Sequence, residues 1–364
     1  MDIATCYTSP IPAQTKWAFT TRRVDRQDVA GINRHVENAV PGDMVFGKII
    51  EIGQHKKIQL AEGRLSQSYL GDYVVAACGD RYAPDQFEGV AEIDPEGADL
   101  IAGGGLIGRM REFHARMAPP TRVLPIGLLT DRYGETINVA NYGLAHGSVP
   151  RDMLVIGVVG ASMNAGKTTA AASLAHGLSR AGYRVAVLKA TGTGAFGDFN
   201  AYLDAGADVV ADFTDAGMAS TYLQPIERIE RGFEALLAHA KYQGASIAIV
   251  ELADGIFQRE TAQILNGSVI RDTLSGVLYA APDAVGAVGG VSILRKMGID
   301  PLAVSGMVSC SPLAVQEAQP ITQVPIVSRE ELRDPYIVTN LIRGLLAEFQ
   351  TVQPIAMQHF RTAA

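Results

Sequence analysis

The run Gly160-Ala161-Ser162-Met163-Asn164-Ala165-Gly166-Lys167-Thr168-Thr169 constrains this chain more than any other segment. A strand-like apolar stretch at 153–159 precedes it, and a helix-like stretch from Ala170 to Leu178 follows. Strand, glycine-bounded loop, Gly-Lys-Thr and helix form the phosphate-binding P-loop (Walker A) arrangement. Loop N–H groups and the positive end of the helix surround an anionic phosphate. Lys167 then reaches the β- and γ-phosphates, and the Thr168 hydroxyl holds Mg²⁺. The bland alternative, a Gly/Ala-rich turn with an exposed lysine, leaves the flanking strand and helix unexplained. The expected nucleotide contacts are therefore Gly160, Ser162, Met163, Asn164, Ala165, Gly166, Lys167, Thr168 and Thr169.

From residue 151 to about 350 the pattern alternates between strand and helix. Strands are expected at 153–159, 184–188, 246–251, 276–280, 302–308 and 324–327. Helices are expected at 167–181, 226–241, 283–297, 312–318 and 336–349. Such alternation predicts an α/β domain, a parallel sheet covered by helices, with its ligand beyond the carboxyl ends of the strands.

Two of those strand ends carry chemistry. The second strand runs into Lys189, whose charge suits a moving phosphoryl group; a solvated strand-end lysine is the alternative. The strand 246–251 ends in Glu251, as a Walker B strand ends in an acid that holds Mg²⁺. Asp254 follows, as a base, a grip on an amine or a helix cap. Between these strands lie Asp198, Asp204, Asp208, Asp212 and Asp215. Mg²⁺ takes only one or two protein carboxylates, and Asp212 or Asp208 is the candidate. These two share a face if their segment is helical. Gly192-Thr193-Gly194-Ala195-Phe196-Gly197 also satisfies G-x-G-x-x-G. The P-loop already occupies the turn where a dinucleotide fingerprint belongs, so this is expected to be a mobile glycine-hinged loop or a plain surface loop. Ser309 and Ser311 fall near the expected base pocket, with helix capping as their other role. No Asn-Lys-x-Asp guanine signature occurs there, which favours ATP over GTP. Arg295 and Lys296 end a helix-like run, where cations suit the negative helix end.

Residues 1–145 read differently. Short β-like runs at 44–50, 57–60 and 73–77 alternate with turn residues, predicting a β-rich small barrel or sandwich. Arg109 and Arg116 share a face if 107–117 is helical, with Glu112 between them. The boundary is placed near 141–150, rich in Gly and polar residues. With 364 residues the chain has room for two domains. A net charge of -7 argues against a broad nucleic-acid or membrane-surface footprint. Cys6, Cys78 and Cys310 are scattered and odd in number, and Met1-Asp2-Ile3-Ala4 lacks a signal-peptide flank, so a cytoplasmic protein is expected. No apolar run reaches the ~20 residues of a membrane span.

Five residues, one more than usual, separate Gly160 from Gly166. This Gly-x5-Gly-Lys-Thr loop resembles that of dethiobiotin synthetase and its relatives in the SIMIBI class of P-loop proteins. The likeness extends over about 153–328. Lys189 matches the lysine of that family's Lys-Pro-x-x-(Ser/Thr)-Gly run, with the proline absent. Glu251 matches its metal-binding glutamate, while Leu252 and Asp254 replace glycines. An acidic residue after the second strand, here assigned to Asp212, completes the implied metal set. The run Asp208–Phe213 and the Glu251 strand also look similar to a P-loop family linked to D-glutamate N-acyl metabolism, which implies a small amino acid or carboxylate acceptor.

The expectation is thus a Mg-ATP-dependent ligase- or kinase-like enzyme of a small metabolite. Lys167, Lys189 and Asp254 are its catalytic candidates, and Thr168, Asp212 and Glu251 its metal ligands. The resemblance implies a homodimer. One alternative is a nucleotide-dependent switch or assembly ATPase acting on a protein partner, although the signature lysine of that branch is absent between Ala161 and Asn164. The other is a polynucleotide kinase-like enzyme, against which Lys189 stands where an aspartate motif belongs.

Overall fold

The computed structural model describes residues 11–352; Met1 to Ala4 and Cys6 lie outside them. The described residues form two compact units. The first comprises the chain up to Gly143 together with 193–196 and 214–222; the second takes the rest.

In the first unit, five strands close on themselves. Tyr73–Cys78 pairs with Met44–Glu51, which pairs with Thr121–Thr130, then Ala98–Ala102, then Leu106–Phe113, each antiparallel. Ala77 and Cys78 then pair in parallel with Leu106 and Ile107, closing the circuit. Of the barrel and the sandwich, the barrel is what forms. Alternation of side chains along each strand explains the two cores. Val45, Ile49, Val74, Ala76 and Cys78 pack in one cluster. Met44, Phe46, Val75 and Ala77 pack in another, with Trp17, Ile137 and Ala219. Both faces of these strands are therefore buried, and the apolar runs need no polar alternation.

The segment 107–117 is not helical: Leu106–Phe113 is a barrel strand. Arg109 and Arg111 both pair with Glu92 at its solvent side. Its β-branched and aromatic neighbours pair across the sheet, and tertiary pairing overrides local helix propensity. The two late segments of this unit are held by specific contacts. Gly194 N–H donates to Ala219 O at 3.0 Å, and Phe196 N–H donates to Gln59 Oε1 at 2.7 Å. Gly104 and Gly194 approach so closely that a Cβ on Gly104 would lie 1.9 Å from the Gly194 carbonyl oxygen.

The second unit is built on a six-stranded, wholly parallel sheet. From one edge its strands are Val209–Asp212, Val185–Lys189, Ile247–Glu251, Leu154–Gly160, Gly276–Ala280 and Ala303–Ser305. The P-loop strand Leu154–Gly160 lies inside the sheet, beside the strand that ends in Glu251. All seven of its residues are buried, as expected of a strand covered on both faces. Helix α1 (Lys167–Arg180) packs Ala170, Ala171, Leu174 and Leu178 into the sheet core.

Three expected elements differ. The strand at 302–308 stops at Ser305, because Gly306 turns the chain at φ 92° into a short 3-10 segment, Met307–Cys310. The expected strand at 324–327 makes only an isolated bridge, Val304 to Ile326. The expected helix at 336–349 is two, Pro335–Leu341 and Arg343–Val352. No helix among the described residues is long and apolar enough to cross a membrane.

Candidate functional site

The loop after the P-loop strand is shaped by two residues at positive φ, Asn164 at 63° and Gly166 at 102°. Ala161 N–H is tied to Ala280 O at 2.9 Å, fixing the loop's start. Gly166 is the N-cap of α1 and offers no capping side chain. The first-turn N–H groups of a helix have no intrahelical partner, so a capless glycine leaves them to face a ligand. Space also demands glycine: a Cβ on Gly166 would lie 2.8 Å from Gly306 Cα, and one on Gly160 would lie 2.7 Å from Lys167 Cγ. Lys167 is buried at 6% exposure, and its Nζ donates to Ser162 O at 2.9 Å. Burial lowers the pKa of this ammonium, partly offset by the charges of Glu251 and Asp254.

Lys189 stands at the carboxyl end of its strand, opposite Asp212 in one neighbour and Glu251 in the other. Its Nζ lies 3.4 Å from Glu251 Oε1 and forms a close ion pair with Asp198 Oδ2. Burial alone would lower the Lys189 pKa; Glu251 and then Asp198 more than offset it, and the pKa is raised. Asp198 is in turn held below the usual carboxylate range, because Lys189 and the Thr168 hydroxyl outweigh its own burial. Thr168 Oγ1 donates to Asp198 Oδ1 at 3.0 Å.

Asp198 belongs to α2 (Phe196–Asp204), a helix the sequence patterns did not single out. One turn on, Tyr202 is fully buried and its hydroxyl donates to Glu251 Oε2. Residues four apart share a helix face, so one face of α2 serves both the P-loop threonine and the glutamate strand. The five-aspartate stretch contained Asp198, but only its four-residue spacing from Tyr202 hinted at a buried face.

The other expected site residues do not all lie at this cluster: Asp212 ends its strand opposite Lys189, whereas Asp208 lies at the other end of that strand, against Val185. Asp208 and Asp212 flank and end a strand, not a helix: consecutive Val209, Val210 and the pairing with 186–189 make the segment extended. Asp208 accepts from Val185 N–H at 2.8 Å, and Asp212 is buried at the strand end. The carboxylate that accepts from the Thr168 hydroxyl is that of Asp198, a residue not among the expected metal ligands. Asp254 lies in the turn after the glutamate strand. Ala253 O accepts from both Thr191 and Thr261 hydroxyls at 2.7 Å, pinning that turn. A Cβ on the next residue, Gly255, would lie 2.5 Å from Ala161 O, so the turn runs against the start of the P-loop. The charge of Asp254 acts on both lysines.

Gly192–Gly197 is pinned as well as glycine-rich, with Thr193 bridged to Ser220 and α2 beginning at Phe196. Ser311 caps the helix Pro312–Thr322, and the Ser309 hydroxyl donates to Gly306 O at 2.7 Å. Arg295 bonds Asp300 and Thr322 O. Among the described residues no three His, Cys, Asp or Glu side chains converge as a metal-binding group. The oxygen donors grouped about Lys189 are instead two carboxylates, Asp198 and Glu251, with the Thr168 hydroxyl bonded to one of them.

A scan against protein-family models finds no match, and a search of curated proteins finds none either. Solved structures do match. The signal recognition particle 54 kDa protein from Aeropyrum pernix in complex with GDP is 22% identical at a TM-score of 0.35. That match covers 56% of this chain and 50% of the other, so the chain spans half the length of that relative. HypB from Helicobacter pylori in complex with nickel is 15% identical at a TM-score of 0.35, over 56% of this chain and 89% of the other. Likenesses of this strength assign nothing further, and the fold stands on its own sheet order and loop geometry.

Proposed function

We propose that this chain is an enzyme that binds a Mg-nucleoside triphosphate and moves or activates through its γ-phosphoryl group on a small carboxylate or amino acid. The observation that carries this reading is Lys189, held between Asp198 and Glu251 beside the P-loop threonine. Loop N–H groups and Lys167 would hold the triphosphate. Mg²⁺ keeps several waters and asks for one or two carboxylates plus phosphate oxygens. Thr168, Asp198 and Glu251 fit that demand, with Asp212 in reserve opposite Lys189. The Thr168 proton already goes to Asp198, which leaves the hydroxyl lone pairs for a cation.

Lys189 is anchored, positively charged and at the strand end. It would neutralise charge on a phosphoryl group passing from the nucleotide to an acceptor oxygen. With a carboxylate acceptor, the new P–O bond makes an acyl phosphate as the bond to the nucleoside diphosphate breaks. An amine that then displaces phosphate makes the reaction a ligation; without it the enzyme is a kinase. ATP is favoured, since the segment after Ser305 lacks Asn-Lys-x-Asp.

The test is Mg-ATP and Mg-GTP turnover by purified protein, alone and with pools of small carboxylates and amino acids, beside Lys167→Ala. Turnover raised by one pool and lost in the variant supports the reading. Slow turnover indifferent to every pool would sink it in favour of a partner-controlled switch.

A further inference from the structure

We infer that Tyr202 is a positioning residue for the metal site: it fixes the Glu251 carboxylate in the orientation that a divalent cation requires. The inference rests on the reading above, in which Glu251 faces Mg²⁺. It goes beyond that reading by assigning a residue four positions from Asp198 that would touch neither nucleotide nor metal.

Glu251 is 1% exposed and ends a strand. A buried carboxylate has two oxygens to satisfy, and the loss of either partner is costly. Here each oxygen has its own partner: Lys189 Nζ lies 3.4 Å from Oε1, and the Tyr202 hydroxyl donates to Oε2. Two partners on different oxygens fix the rotation of the carboxylate plane as well as its position. Lys189 alone would leave that rotation free. Tyr202 is itself 1% exposed, so its ring has no other place to turn. Asp198 is one helical turn earlier on the same face of α2. A single rigid helix therefore sets both carboxylates, one directly and one through a hydroxyl. Groups that orient a metal ligand typically alter metal affinity by 10–100-fold when removed.

The test is Tyr202→Phe, which removes one oxygen and keeps the ring. Mg²⁺ and Mn²⁺ binding to the complex with a non-hydrolysable triphosphate is measured by electron paramagnetic resonance competition, with nucleotide affinity in EDTA measured separately. The expected result is metal affinity about 10-fold weaker, with metal-free nucleotide affinity and the melting profile close to wild type. In a Glu251→Gln background the same substitution should add less than it costs alone, because the Tyr202 hydroxyl acts through Glu251 as well as lying against Thr168. Unchanged metal affinity, or an equal loss of metal-free nucleotide affinity, would overturn the inference. Should Tyr202→Phe fail to fold, fluorotyrosine placed at position 202 gives a second readout. Its fluorine resonance should move when Mg²⁺ joins the nucleotide complex, and a resonance indifferent to the metal overturns the inference. A wild-type protein that binds no Mg-nucleotide would instead refute the function proposed above.

Discussion

Lys189 and Glu251 stand opposite one another on neighbouring parallel strands, with Nζ and Oε1 3.4 Å apart and both side chains largely out of water. Parallel pairing brings the last residues of two strands, 62 positions apart in sequence, together at the carboxyl end of one sheet. Glu251 is a buried acid whose stability depends on its cation, while Asp198 on the other side of Lys189 is only part-buried.

Removing the cation should therefore damage both fold and chemistry. Lys189→Met leaves Glu251 and Asp198 without their shared partner, a loss of about 3–5 kcal/mol for a buried pair. Urea unfolding of the variant reads this directly. A loss within 1 kcal/mol would mean that the pair behaves as an exposed one.

Asp198 and Asp212 can be told apart. Asp198→Asn keeps the shape but lowers the charge on the acceptor for Thr168, and should raise the Mg²⁺ concentration needed for half-maximal turnover about 10-fold or more. Asp212→Asn should raise it far less. Metal titrations of the two variants side by side decide it, and the reverse ranking would restore Asp212 as the ligand.

Gly166→Ala should abolish nucleotide binding. A side chain at φ 102° is strained, and its Cβ would press on Gly306 Cα at 2.8 Å. Strain of this kind costs on the order of 1–3 kcal/mol, and it falls on the residue that opens α1. Calorimetric titration with Mg-ATP checks the binding, and thermal unfolding checks the strain.

The barrel carries a pH dependence of its own. His55 Nε2 lies 3.2 Å from Ile101 O and 3.4 Å from the Arg81 guanidinium. Burial, then the Arg81 charge, lower its pKa from 6.5 to about 4. The unfolded chain thus takes up a proton below pH 6.5, while the folded chain waits until about pH 4. Stability is complete above that window and falls as the pH drops through it, by up to about 3 kcal/mol. His55→Gln should flatten the stability curve between pH 6.5 and 4; an unaltered slope would show that His55 titrates normally.

What was legible in the sequence depended on distance along the chain. The P-loop, its strand and its helix are contiguous, and Glu251 closes an uninterrupted apolar run, so both could be read directly. Asp198 meets Thr168 across 30 positions and Tyr202 meets Glu251 across 49. No local pattern encodes pairings at that range. Asp208 and Asp212 misled in another way, because their spacing of four suits a helix while Val209 and Val210 between them suit a strand. Sheet pairing decided that contest. The barrel strands showed through their turns, but Leu106–Phe113 carries three charged residues on its outer end and resembled a helix face.

The seating of Gly194 against Gly104 has a consequence for how this protein is made. All barrel strands have left the ribosome once Thr130 has emerged, yet the barrel unit still lacks two pieces that are translated only by residue 222. Growing at about 5–20 residues per second, the nascent chain spends several seconds with those seats open. A gene cut after Gly143 would make that waiting state permanent, with the place of Ala219 beside Met44, Phe46, Val75 and Ala77 uncovered.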